Sequence, residues 1–333
     1  VLALCLSNAF ADEGMWLLGN LRKNKQTDRV MKELGLQMPV NKIYDPKKPC
    51  LADAVVSFGG FCSGVVVSED GLVFTNHHCG FSSIQQHSSV EHDYLKDGFF
   101  ARSLEEELPN PELYVRFLLR TEDVTKRVLS AARHAKTETE RRVAVDSIMN
   151  VISMEVSEKD STLTGIVDAY YAGNEFWLSV YRDYNDVRLV FAPPSSVGKF
   201  GWDTDNWMWP RHTGDFSVFR VYAGPDNRPA DYSPENRPYK AEKFLKISLG
   251  GYDEGDFAMI MGFPGSTSRY MTSFEIDRML DIENPQRIFI RGERQAILKE
   301  DMAASAKVRI QYASKYAQSS NYWKNSIGMS RGI

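Results

Sequence analysis

Long apolar runs are missing from this chain of 333 residues. None approaches the roughly 20 consecutive apolar residues that a bilayer-spanning helix needs, so no membrane span is expected. A basic excess is missing as well: 40 Lys and Arg stand against 44 Asp and Glu, a net charge of −4. That balance argues against a nucleic-acid partner, which selects for clustered cations. Cysteine is scarce, with four in all and no Cys-x-x-Cys step, the usual mark of a structural zinc site. Repeats and low-complexity tracts are absent, and 43% hydrophobic with 25% charged residues is ordinary globular composition. An initiator methionine is lacking, and the chain stops at Arg331-Gly332-Ile333 just after a strongly helical stretch. These two ends predict a fragment.

What is present begins with a short apolar run, Val1 to Leu6, followed by Ala9-Phe10-Ala11 and a charged start at Asp12-Glu13. The A-x-A pattern reads as the rear part of a secretory signal peptide over residues 1–11 and predicts export. Outside the cytosol a disulfide persists. Cys50, Cys62 and Cys79 would remain after cleavage, an odd number that leaves one without a partner in this chain.

Residues 15–35 carry Leu, Met and Trp at helical spacing and end at Gly35, a helix stop. From Ala54 the texture becomes short β-type runs: 54–58, 63–68, 72–75, 112–119, 176–181, 187–192, 216–222 and 257–261. Glu69-Asp70-Gly71 is a hairpin turn between two of them. Short strands with tight turns predict a barrel or sandwich. Residues 122–160 contain no glycine or proline and repeat Val, Leu and Ile at three- and four-residue steps, which predicts an amphipathic helical excursion. Helical texture returns after Ser273.

The chemistry is concentrated in Cys62-Ser63-Gly64 and Thr75-Asn76-His77-His78-Cys79-Gly80. A strand delivers a histidine followed at once by a cysteine, and a second cysteine opens the adjacent strand. A Cys62–Cys79 disulfide would fix the histidine loop. A general base needs such fixing, because its ring must stay within hydrogen-bond reach of the nucleophile. The arrangement is similar to the first barrel of chymotrypsin-type serine proteases. His78 is the expected base, with His77 facing the other way as a structural residue. The carboxylate that would hold its tautomer is expected at Asp215, at the head of an apolar strand. A zinc site from His77, His78, Cys79, His87 and His92 is the alternative, and it lacks the short ligand steps of known sites. His87, His92 and His134 otherwise read as surface or loop residues. Ser266 follows a strand without a glycine on its far side. Ser330 matches G-x-S-x-G formally, but in a helical context with no later histidine. Neither is expected to be a nucleophile.

Longer strings carry a specific resemblance: Thr75 to Gly80, Ser88-Ser89-Val90-Glu91-His92-Asp93-Tyr94-Leu95, Gly201-Trp202-Asp203-Thr204-Asp205-Asn206-Trp207-Met208-Trp209-Pro210-Arg211-His212, and Ser320-Asn321-Tyr322-Trp323-Lys324-Asn325. From about Asp12 onward the chain resembles the N-terminal part of the bacterial dipeptidyl-peptidase 7/11 family, exported serine exopeptidases of the chymotrypsin clan. The resemblance implies a mainly β fold with α insertions: a chymotrypsin-like double β-barrel of which the first barrel is present, over residues 12–270. Residues 271–333 would begin an inserted α-helical domain. It implies His78 and Asp215 as catalytic residues, Asn206 and Trp207 as holders of the peptide's free α-amino group, and Asn321 as a partner of the peptide main chain. Trp202 and Trp209 read equally well as barrel packing. The implied partners are oligopeptides with a free N-terminus and a second copy of the chain; the implied location is the periplasm or cell surface, and no cofactor or metal is called for. The nucleophilic serine, the acidic partner of the substrate amine and the main P1-selecting residue would lie beyond Ile333. The rival expectation is a peptide-binding module on a protease-like barrel without catalysis.

Overall fold

The structure, a computed structural model, describes residues 15–21, 25–265 and 271–333. The signal-peptide reading over 1–11 and Ser266 lie outside the described residues. Eight strands form the body of the molecule: β1 Val55–Phe58, β2 Cys62–Val66, β3 Leu72–Thr75, β4 Val115–Asp123, β5 Leu163–Tyr170, β6 Glu175–Tyr184, β7 Asp186–Ala192 and β8 Ser217–Ala223. They pair antiparallel in the order β7-β8-β3-β2-β1-β4-β6-β5, with two-residue strands added on β7 and β8. β6 and β7 are one run of chain interrupted only at Asn185. The same stretch therefore serves both sides of the strand path, and the sheet curls back on itself.

Period-two alternation explains what fills the interior. Val56 and Phe58, Val115 and Phe117, Val187 and Leu189, and Phe219 and Val221 are i, i+2 pairs on four strands, and all join one buried cluster with Val66 and Val73. Burial of each large side chain in this set contributes about 1.5–3 kcal/mol. Across β4 and β6, Arg116 and Asp183 stand opposite in register and form a two-pronged ion pair with both contacts at 2.7 Å.

Among the described residues, six helices have seven or more residues: α1 Lys25–Glu33, α2 His77–Gln86, α3 Thr125–Ala131, α4 Glu138–Lys159, α5 Asn284–Ala304 and α6 Ala306–Gly332. α1 ends where expected. Gly35 adopts φ +106°, and the amides of Leu36 and Gly35 close on the carbonyls of Met31 and Lys32, a Schellman termination. The excursion read at 122–160 is α3 and α4; Val128, Ile152 and Val156 pack on Val167, Phe176, Leu178 and Val180 of the β5–β6 hairpin. Thr137 caps α4 by accepting from the Glu140 amide at 3.2 Å. α5 and α6 form an antiparallel hairpin that turns at the extended residue Ser305, with Asn284 bonded to Ser330 and Trp323 to the Ile288 carbonyl.

One expected strand is not there. Residues 257–261 have no regular structure. Phe257 and Met261 pack beside the cluster of Leu21, Met31, Ile43 and Cys50, while Ile260 is fully exposed. A short apolar run such as Phe257-Ala258-Met259-Ile260-Met261 becomes a strand only when a neighbour accepts its backbone bonds, and no described strand runs beside this segment.

Candidate active site

β3 and β8 pair with Thr75 opposite Ser217, so the residues just beyond their ends meet. Beyond Thr75 the chain turns into α2, which begins at His77; just before Ser217 stands Asp215. The Thr75 hydroxyl donates to the Ser63 carbonyl at 2.8 Å, and the Ser217 hydroxyl donates to the Asn76 carbonyl at 2.9 Å. These bonds tie three strand ends together. Cys62, at the head of β2, is joined to Cys79 in the first turn of α2 by a disulfide with Cα atoms 6.1 Å apart. The α2 terminus is therefore held covalently on one side and by strand pairing on the other.

Asp215 Oδ2 lies 2.7 Å from His78 Nδ1, and Oδ1 accepts the His78 backbone amide at 3.0 Å. Asn76, the residue preceding the helix, does not cap it with its own side chain. Its amide instead donates to the Asp215 carbonyl at 3.1 Å and to Oδ2 at 3.3 Å. Asp215 thus takes one of the orphan amides of α2 and sits at the positive end of the helix. Burial works to raise its pKa, but the bonds and charge of His78 outweigh it and hold the carboxyl below its ordinary value. A carboxylate accepts only, so Nδ1 carries the proton and the Nε2 lone pair of His78 is free to act as a base. The His78 side chain is 66% exposed and that of Asp215 only 18%. An imidazole open to solvent thus stands above a largely covered carboxylate.

His77 behaves oppositely. It is 1% exposed, its ring meets Phe81 edge-on, and Nε2 has no partner. Burial pushes its pKa down to about 4, so it is neutral near pH 7. Gly198 makes room for the ring, since a Cβ there would come within 2.4 Å of it. The zinc alternative does not assemble. Cys79 is in the disulfide, His87 bonds Asn110, and His92 is exposed beside Tyr94. Among the described residues the only group at metal-ligand closeness is Cys62, His78 and Cys79, two of whose ligand atoms are the disulfide sulfurs. His134 is exposed on the surface. Cys50 is buried and free, its thiol pushed up by burial. Ser330 lies in the last turn of α6, with its hydroxyl bonded to Asn284.

Of the remaining expected residues, Asn206 and Trp207 sit on one excursion between β7 and β8, and Asn321 sits on α6. The excursion passes through short helical turns at Ser195–Gly198 and Trp202–Asp205 and returns to Asp215. Asn206 Nδ2 donates to Asn321 Oδ1 at 2.9 Å, and Trp207 Nε1 donates to the Asn321 carbonyl at 3.1 Å. Asn206, Trp207 and Asn321 therefore form one cluster across 114–115 residues of sequence. Trp202 and Trp209 are 56% and 90% exposed, so neither is packed inside the sheet formed by the described residues. α6 is also tied to α2 by Gln85, which donates to the Gln311 carbonyl and accepts from the Ser314 amide. Sequence reasoning assigned no role to Asn76, Gln85, Asp203 or Ser217. Asn76 and Asp203 stand inside the quoted strings; nothing local marks the other two.

A family profile described as Peptidase S46 matches residues 11–333. Dipeptidyl-peptidase 7 of Porphyromonas endodontalis is 55% identical over 327 residues, 98% of this chain and 40% of that protein. An Asp/Glu-specific dipeptidyl-peptidase of Porphyromonas gingivalis is 47% identical over 99% of this chain and 46% of that protein. Among solved structures, Porphyromonas endodontalis DPP11 in complex with the dipeptide Arg-Asp superposes with a TM-score of 0.90 at 43% identity, over 97% of this chain and 47% of that one. The chain thus spans about half the length of the relatives it matches. With that likeness running through the strand ends that carry His78 and Asp215, the chain belongs to the peptidase S46 family.

Proposed function

We propose that the whole protein is a serine-type dipeptidyl-peptidase that releases dipeptides from the free N-terminus of peptides, and that this chain contributes its general base. The 2.7 Å contact between His78 Nδ1 and Asp215 Oδ2 carries the reading. His78 Nε2 takes the proton of a serine hydroxyl as its oxygen attacks the second peptide carbonyl, and Asp215 stabilises the imidazolium. His78 then returns the proton to the leaving amine, and water hydrolyses the acyl-dipeptidyl intermediate by the same route. We place the serine outside these 333 residues, in keeping with relatives about twice as long.

Asn206, Trp207 and Asn321 fix where the substrate begins. An amide oxygen accepts from an α-ammonium group, and an indole gives an apolar wall beside it. Counting two residues from a charged amine needs such a stop. The dipeptide bound to the Porphyromonas endodontalis DPP11 structures agrees with a short N-terminal pocket in this family.

In this reading residues 12–270 belong to a chymotrypsin-like double barrel, of which β1–β4 and β6–β8 make the first, and 271–333 open a helical domain. The self-closing strand path supports the first barrel. The unpaired apolar segments around Leu249 and Ile260, 96% and 100% exposed, suit strands of a second barrel completed by further chain. Residues 1–11 are the end of a leader that exports the protein to the periplasm or cell surface. Among the described residues no helix is long and apolar enough to cross a membrane.

Mass spectrometry of a decapeptide incubated with the full-length protein tests the reading. Stepwise loss of N-terminal dipeptides is expected, with much slower cleavage of the N-acetylated peptide. An intact free-amine peptide would leave the non-catalytic peptide-binding module as the better account.

A further inference from the structure

The segment bearing Asn206 and Trp207 is not relaxed. Trp202 and Trp207 adopt φ of 47° and 61°, left-handed conformations that bulky side chains avoid unless their surroundings impose them. Both indoles are more than half exposed, so packing around them does not supply the restraint. What supplies it lies on α6.

Asp203, between the two tryptophans, accepts from the Tyr316 hydroxyl at 2.9 Å through Oδ2 and from the Ser320 hydroxyl through Oδ1. The Lys324 ammonium donates to the main-chain carbonyls of Asp203 and Thr204. Tyr316, Ser320 and Lys324 are spaced i, i+4, i+8, so one face of α6 presents all three. Ser320 is 1% exposed, which makes its bond to Asp203 costly to lose. Asn321, the next residue of the helix, is the one that meets Asn206 and Trp207.

We propose that Asp203 is a positioning residue for recognition of the substrate's N-terminus: its clasp on Tyr316 and Ser320 sets the register between the 202–207 loop and α6. This rests on the proposed role of Asn206, Trp207 and Asn321 and adds what holds them together. Asp203 touches no substrate. Without it the strained loop relaxes, and the Asn206–Asn321 pair loses its fixed separation. Misplacement of a binding group by about 1 Å is enough to cost a large factor in rate.

The test uses the full-length enzyme and the ratio of kcat/KM for a free-amine substrate to that for its N-acetylated counterpart. In Asp203→Ala this ratio is expected to fall by about tenfold or more, chiefly through a higher KM for the free-amine substrate. Asp203→Asn keeps an oxygen that accepts from Ser320 and is expected to recover part of the ratio; it also covers the case in which the alanine variant fails to fold. Asp183→Ala, which breaks the distant Arg116 pair, is expected to lower stability and leave the ratio unchanged. Wild-type ratios in both Asp203 variants, with a collapsed ratio in Asn206→Ala, would overturn the positioning role alone. A wild-type ratio in Asn206→Ala as well would overturn the amine-holding reading beneath it.

Discussion

Asp215 grips His78 twice, through the ring nitrogen at 2.7 Å and through the backbone amide at 3.0 Å. The two bonds use different oxygens of one carboxylate, so ring tautomer and helix start are set by the same group. That coupling makes the site depend on everything fixing the α2 terminus, and the consequences are measurable.

The disulfide is the first of these fixings. Cys62–Cys79 spans 17 residues, a loop length for which cross-linking contributes about 3 kcal/mol. The double variant Cys62→Ser/Cys79→Ser is expected to unfold at lower denaturant by that order. Its residual activity at low denaturant should also fall, because the His78 turn loses its covalent tether. Urea titration of the full-length protein measures the first effect and turnover the second. An unchanged midpoint would mean that strand pairing alone holds the turn.

His77 gives the fold a pH dependence of known sign. The unfolded chain protonates this ring near 6.5, the folded one only at about 4. As pH falls through that window the unfolded state binds the proton first, so stability is present above pH 6.5 and is lost towards pH 4. The loss amounts to about 3 kcal/mol, because each tenfold drop in proton affinity on folding is worth roughly 1.36 kcal/mol. His77→Asn, which cannot titrate there, should flatten the curve between pH 7 and pH 4. Denaturant midpoints across that range check it, and parallel curves would refute it.

Asn206 and Asn321 should behave as one unit. Each single alanine variant is expected to raise KM for a free-amine substrate, and the double variant to raise it by less than the product. A coupling of about 0.5–3 kcal/mol is usual for side chains in direct contact. The cycle is read from kcat/KM in four full-length proteins. Strict additivity would show that the 2.9 Å bond between them has no part in binding.

Much of this architecture was legible locally. The runs at 54–58, 63–68 and 72–75 are β1, β2 and β3 because short β-branched and aromatic runs around an Asp-Gly turn leave few other solutions. The helical excursion was readable from its lack of glycine and proline. His78 stood out because a cysteine follows it, and Asp215 because an apolar strand follows it. Residues 257–261 misled, since a short apolar run marks the capacity to pair and says nothing about the presence of a neighbour. The Asp203 clasp was invisible for a different reason. Its partners are 113 to 121 residues away on a helix whose polar face looks like any solvated face. Long-range polar pairs leave no period to read.

Whether His78, oriented by Asp215, is the base of a serine peptidase is tested most directly by kcat for dipeptide release in full-length His78→Ala, with folding verified by circular dichroism. A fall of about a thousandfold or more is predicted, in keeping with loss of a triad member. Turnover within about tenfold of the unmodified enzyme, below any loss seen for a triad residue, would contradict the assignment.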